Sequence, residues 1–222
     1  MGLIGIYGGT FNPIHVGHLR AAEEVAEILG LARVIFVPSA TPPHKAENGG
    51  DAIASAPERL AWVQLAIAGN PHFAVSAIEV ERGGASYLVD TLRALRALHA
   101  PHELVFLVGS DAFAEMGAWR APAELFSLAH YAVMLRPPLR TGTLATWLPA
   151  VVRDDVELAE DQILGRHRRA GTWLRLVEIA GFDVSASAVR QLLRDGRSVR
   201  YLLPEAVREA VHASGAFARS GG

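Results

Sequence analysis

An α/β fold on a doubly wound parallel sheet is the fold class this sequence predicts, and three observations predict it. Apolar runs of strand length alternate with segments of helical period through most of the 222 residues. The runs within Arg33–Val37 and Glu103–Val108 are continuously apolar rather than alternating, so both faces of each strand should be covered. Glycine-containing turns follow two of the strands, at Gly8-Gly9 and Gly109-Ser110-Asp111. In such sheets ligands sit at the carboxyl ends of the strands, near the point where strand order reverses.

The elements follow in order. Leu3 to Tyr7 is a short strand that stops at Gly8-Gly9. From Val16 the period changes: Leu19, Ala22, Ala26 and Leu29 share one helical face, and Gly30 is placed to end it. Arg33 to Val37 is the second strand, broken by Pro38, and residues 38–54 read as a surface loop rich in Pro, Gly, Ala and Asn. Ser55 and Glu58 make a capping box before a helix carrying Leu60, Val63 and Ile67. Phe73 to Val80 reads as a strand, and Ser86 as the N-cap of a helix that runs through Leu98. Glu103 to Val108 is the most apolar strand; short helices at Ala112–Glu115 and Pro122–Leu128 and a strand at Tyr131–Leu135 follow. Residues 137–172 carry no clear period. Leu174–Ile179 is a strand, and Ser185–Arg194 and Pro204–Ala213 are helices. With no internal repeat or linker, one domain over residues 1–222 is expected.

Composition narrows the partners. Half the residues are hydrophobic, 20% are charged and the net charge is −2, so bulk electrostatics favour neither nucleic acid nor an anionic membrane. Cysteine is absent, which removes disulfides, thiolate zinc sites and cysteine nucleophiles together. No apolar stretch approaches the roughly 18 to 20 residues that span a bilayer, and the chain opens directly on an apolar strand without an export pattern. A cytoplasmic location is the natural expectation, and a homo-oligomer is left open. Of the 21 basic residues only Lys45 is lysine, in the loop Pro42-Pro43-His44-Lys45.

The densest segment is Gly8-Gly9-Thr10-Phe11-Asn12-Pro13-Ile14-His15-Val16-Gly17-His18. Neither G-x-G-x-x-G nor G-x-x-x-x-G-K-[S/T] is present. Instead a glycine turn leads into a helix start near Gly17, whose unpaired N–H groups and partial positive charge suit a phosphate. His15 and His18, three apart, can face the same side, and Gly17 would let a ligand approach the backbone. By themselves two such histidines fit packing, metal ligation or phosphate contact; zinc is disfavoured by the lack of an obvious third ligand. At Ser185–Arg190 a second helix start pairs a capping serine with an arginine fork suited to phosphate, or is an ordinary capped helix. Asp111 reads either as a helix cap or as a ligand contact. Trp119, in the polar context Gly117-Ala118-Trp119-Arg120, reads either as packing or as a stacking face.

The eleven-residue string resembles the T/HxGH signature of the nucleotidylyltransferase superfamily, and most of all the bacterial nicotinate-nucleotide adenylyltransferase family. The likeness continues in order through Pro42-Pro43-His44-Lys45, Arg59, Ser86-Tyr87, Asp90-Thr91-Leu92, Gly109-Ser110-Asp111, Trp119, Arg136-Pro137, Ser185–Arg190 and Tyr201–Pro204. It implies a Rossmann-like sheet of the HxGH type, with C-terminal helices from about residue 185 closing the ATP site. It also implies adenylyl transfer from ATP to nicotinic acid mononucleotide, with Mg²⁺ carried on the nucleotide and no protein metal ligands. His15, His18 and Arg190 would be catalytic. Gly8, Gly9, Thr10, Phe11, Gly17, Gly109, Asp111, Ser185 and Ser187 would bind ATP. Lys45, His44, Ser86, Tyr87, Leu88, Trp119 and Arg120 would bind the mononucleotide, its acid group held by backbone N–H groups near Ser86–Leu88 and Trp119–Arg120. Ala186, Leu88 and Asn12 depart from the residues frequent in the family, and Leu88 leaves open a preference for the amide mononucleotide. A chain that binds ATP without transferring it, a nucleotide sensor, is the alternative from another class.

Overall fold

The computed structural model describes residues 2–42, 53–135 and 142–218. The strands are β1 (Leu3–Gly9), β2 (Arg33–Pro38), β3 (Phe73–Val75), β4 (Glu103–Gly109), β5 (His130–Leu135), β6 (Val156–Leu158), β7 (Leu164–His167) and β8 (Trp173–Glu178). They form one sheet in the order β3-β2-β1-β4-β5-β8-β7-β6. From β3 to β8 the pairings are parallel, whereas β7 and β6 are antiparallel additions. The order reverses between β1 and β4, so the crevice expected of a doubly wound sheet opens there. The antiparallel pair adds an edge to the doubly wound parallel sheet that the sequence predicts. It lies within the stretch where no period was legible, and its strands have only three and four residues.

Successive residues of the central strands feed opposite layers. Leu104, Phe106 and Val108 join α4 (Leu88–His99), α5 (Ser110–Glu115) and α6 (Pro122–Leu128) on one face. Val105 and Leu107 join α1 (Val16–Leu29), α2 (Ala56–Ile67), α8 (Ala186–Arg194) and α9 (Glu205–Ser214) on the other. That two-sided burial is why the strands read as continuous apolar runs. Two short helices, α3 (Ile78–Arg82) and α7 (Leu144–Trp147), complete the described elements together with two 3₁₀ turns.

Helix boundaries follow the capping chemistry. Gly30 ends α1 in the left-handed region at φ 62°, and Ser55 and Glu58 cap α2 reciprocally. Phe73–Val80 is not a single strand: β3 ends at Val75, and α3 begins at Ile78 and closes at Gly83. Ser86 is not the cap of α4. The N-cap is Tyr87, and the Ser86 Oγ instead accepts the Ala40 N–H at 2.8 Å. Among the described residues no helix is long and apolar enough to cross a membrane.

Candidate active site

At the carboxyl ends of β1 and β4 a crevice of about 190 Å³ is lined by Gly8, Gly9, Phe11, His15, Gly17 and His18 from the first strand and helix. Gly109 and Asp111 contribute from β4–α5, and Met134, Ile179, Gly181, Phe182 and Val184 from the ends of β5 and β8. A larger cavity of about 300 Å³ lies at the amino ends of β4 and β5, around His102, Glu103 and His130. The smaller crevice is the functional candidate, because only the carboxyl edge carries the turns and helix starts that can hold phosphate.

Its wall is the start of α1. His15 is the N-cap, in extended conformation and only 3% exposed. Its ring stacks on that of His18 with centroids 3.7 Å apart. The His15 amide donates to Nδ1 of His18 at 3.2 Å. An Nδ1 that accepts cannot carry the proton, so the neutral His18 ring holds it on Nε2, as a donor. Phe11 stands edge-on to His18 with centroids 5.2 Å apart, and the Tyr7 ring lies 6.1 Å from it. Phe11 takes φ 48°, a strained conformation for a phenylalanine, which costs about 1–3 kcal/mol and is tolerated because its ring is buried. Gly17 packs closely on the histidine: a Cβ there would lie 3.1 Å from the Nδ1 of His15, which would have to give way by a few tenths of an ångström. Gly17 also lines the crevice, beside the His15 ring. At Gly109 a Cβ would meet the Asp111 carboxylate at 2.6 Å, so glycine lets the acid fold back over the strand end.

Arg190 is buried and reaches the same loop from α8. Its Nη1 donates to the Asn12 carbonyl at 2.9 Å and its Nη2 to the Ser187 Oγ at 3.1 Å. Ser185 caps α8 by accepting the Ala188 N–H at 3.1 Å. Thus Ser187 and Arg190 join the crevice loop through Asn12 rather than lining the cavity.

The second group of predicted residues assembles at the start of α4. The Arg120 guanidinium lies 4.6 Å from the centre of the Tyr87 ring, which draws residues 119–120 to the start of α4. Trp119 is half-buried against the same layer as Tyr87 and Leu88. Two of the backbone donors expected for an acid group are already committed: Ser86 N–H donates to Thr41 and Trp119 N–H to Met116. Among the described residues the amides of Tyr87, Leu88 and Arg120 have no acceptor, and Leu88 opens α4. His44, Lys45 and Arg136-Pro137 lie outside the described residues.

Three residues gain a role that the sequence did not announce. Glu24, buried in α1, accepts from Arg20 and, through Oε2, from the Ala180 N–H at 2.6 Å, holding the turn that carries Gly181 and Phe182. Phe182 itself presents a half-exposed ring to the crevice; its place after a strand was the signal available. Arg59 is 1% exposed and donates to three carbonyls, of Ala54 at 2.9 Å, Thr10 at 2.7 Å and Ala40 at 2.9 Å. Burial pulls its pKa below the ordinary arginine value, and the Glu79 carboxylate opposes that. Among the described residues no three His, Asp or Glu side chains cluster as a metal site.

Comparison with known proteins agrees with this architecture. Residues 6–192 match the family model described as cytidylyltransferase-like. A Geotalea uraniireducens protein is 43% identical over 210 residues, covering 94% of each chain, and one from Trichlorobacter lovleyi is 43% identical over 214 residues, covering 96% of this chain and 98% of its own. Both are named "Probable nicotinate-nucleotide adenylyltransferase". The fold is also that of Plasmodium falciparum nicotinic acid mononucleotide adenylyltransferase complexed with NaAD, at a TM-score of 0.72 and 13% identity over 98% of both chains. The ordered motifs, the crevice and the full-length identity to these relatives place the chain in the nicotinate-nucleotide adenylyltransferase family.

Proposed function

We propose that this protein transfers the adenylyl group of ATP to nicotinic acid mononucleotide, forming nicotinic acid adenine dinucleotide and pyrophosphate. The observation that carries the reading is the stacked His15–His18 pair at the start of α1, set in the crevice where strand order reverses. The near-full-length relatives named for this activity, and the Plasmodium enzyme's complex with NaAD, support the same substrates.

In the step we propose, an oxygen of the mononucleotide phosphate attacks the α-phosphorus of ATP in line. The new P–O bond forms as the bond from the α-phosphorus to the bridging oxygen breaks, and that oxygen leaves with the electron pair on pyrophosphate. The nucleophile is already ionised, so no serine or histidine nucleophile is needed, and catalysis is positioning plus charge stabilisation. His18 would donate from Nε2 to the departing phosphate oxygens, while His15 fixes that tautomer through its amide. Lys45 and His44 are assigned to the mononucleotide from the sequence match, and Gly8, Gly9, Thr10, Gly109 and Asp111 to the nucleotide. Arg190 and Ser187 set the Asn12 turn, and α8 and α9 close the ATP side of one functional unit. Family chemistry calls for a divalent metal with ATP, and we assign Mg²⁺. A hard six-coordinate ion suits the phosphate oxygens, so it is treated as part of the substrate. Trp119 would stack on the pyridine ring, and the amides of Tyr87, Leu88 and Arg120 would hold its carboxylate. Both substrates are charged phosphates that do not cross bilayers, so the reading goes with a cytoplasmic location.

The test is product analysis with ATP and Mg²⁺, offering the acid mononucleotide, the amide mononucleotide and phosphopantetheine in separate reactions. Dinucleotide and pyrophosphate from the acid form alone are expected. Transfer to the amide form would move the specificity to Leu88, and binding of ATP without transfer to any acceptor would overturn the reading in favour of a nucleotide sensor.

A further inference from the structure

Several buried polar ties converge on Arg59, which does not itself line the crevice. Its planar fork sits in the interior with three donors engaged, each to a carbonyl of a different segment. Thr10 belongs to the turn between β1 and His15. Ala40 follows β2, and its amide donates to the Ser86 Oγ while the Ser86 amide returns a bond to Thr41 at 3.0 Å. Ala54 precedes α2, and its amide donates to the Asn12 Oδ1 at 3.0 Å. Asn12 in turn accepts from Arg190 through its carbonyl. The bonds therefore run without a break from α8, through the Thr10–Asn12 turn and Arg59, to the Ser86–Leu88 strip.

We propose that Arg59 is a positioning residue of the reaction, which holds the ATP-side turn and the mononucleotide-side strip at the separation in-line transfer needs. The assignment rests on the adenylyl-transfer reading above. A helix need not bury a guanidinium to pack. Leaving a polar group in the interior is costly unless its bonds are met, and here the bonds go to loop carbonyls on the two sides of the reaction. The fork suits the task because its N–H groups diverge in one plane at fixed angles, which a lysine ammonium on a flexible stem does not reproduce. Each subsite is also supported by other contacts: the His15–His18 stack on one side, and Tyr87 with Arg120 on the other. Loss of the fork should therefore disturb the alignment of the two substrates more than the binding of either.

The test compares Arg59→Lys with the parent chain. It uses the dissociation constant of nicotinic acid mononucleotide, that of a non-hydrolysable ATP analogue, and the single-turnover rate with both substrates saturating, all well below the melting temperature. Because a misplacement of about 1 Å can cost roughly a hundredfold in rate, a fall of at least about tenfold is expected, with each dissociation constant within about threefold of the parent. A second variant, Asn12→Ala, cuts the tie to the Ala54 amide without touching the buried charge and should show the same split to a smaller degree. It keeps the proposal testable if Arg59→Lys does not fold. A lower melting temperature with an unchanged rate would make Arg59 purely structural, and a large loss of either affinity with the rate kept would make it a binding scaffold; either result overturns the proposal. Failure of the functional reading looks different, since the parent chain itself would then transfer nothing.

Discussion

In the mechanism we propose, the chemistry turns on His18, and its neighbours decide which of its nitrogens can act. His15 gives it a backbone donor and a stacking partner, and Phe11 packs edge-on against it. Gly17 makes room for the stack, so Gly17→Ala should push the His15 ring aside and lower kcat about tenfold while leaving the fold intact, checked by kinetics alongside circular dichroism. At the other subsite Trp119→Ala removes a stacking face worth about 0.5–1.5 kcal/mol. Steady-state kinetics should show the KM for the mononucleotide rising roughly two- to tenfold with kcat little changed. At this scale the sequence was legible where residues form a contiguous string, as from Gly8 to His18. It was opaque where a role depends on partners far along the chain: nothing in Glu24 announces the Ala180 amide, and nothing in Arg59 announces three carbonyls.

Elements were legible when their ends carried a chemical signal. The left-handed Gly30, the Ser55–Glu58 box and the Ser185 cap each stand where the sequence places them. Removing the last should cost about 1 kcal/mol. Ser185→Ala should therefore shift the urea midpoint downward and raise the KM for ATP, because α8 carries Arg190 to the Asn12 turn. The segment from Phe73 to Val80 is strand only as far as Val75, and its second half is helix, because a short apolar run does not distinguish strand from buried helix. Gly83 terminates α3, and its α-helical turn buries Glu79 against Thr91, whose hydroxyl donates to it at 2.6 Å. Ser86 misled for a related reason: its hydroxyl found a backbone donor across the sheet edge, at Ala40, before one in its own helix.

At the scale of the whole molecule, six parallel strands with helices on both faces were readable from apolar runs, and the antiparallel β6–β7 edge was not, since elements that short have no period to read. The two ends of the sheet differ in chemistry. At the amino end His130 is buried, stacked on Trp173, and accepts the Trp173 N–H on Nδ1. Burial pulls its pKa below the ordinary histidine value, against the raising effect of Glu103. The unfolded imidazole takes up a proton near pH 6.5 and the folded one resists it, so this stability is present above about 6.5 and is lost as pH falls through the lowered folded value. The melting temperature should decline between about pH 7.5 and 5.5, and His130→Asn, which keeps an acceptor for Trp173, should flatten that decline. At the carboxyl end the crevice gathers strand ends and helix starts along one wall, where we propose that His18 stabilises the departing pyrophosphate. The most direct measurement is the single-turnover rate of dinucleotide formation by His18→Ala, together with its affinity for ATP. The account predicts a rate lower by about 10²–10³ with ATP affinity within about threefold of the parent. A rate equal to the parent's in a variant that still binds ATP would contradict it.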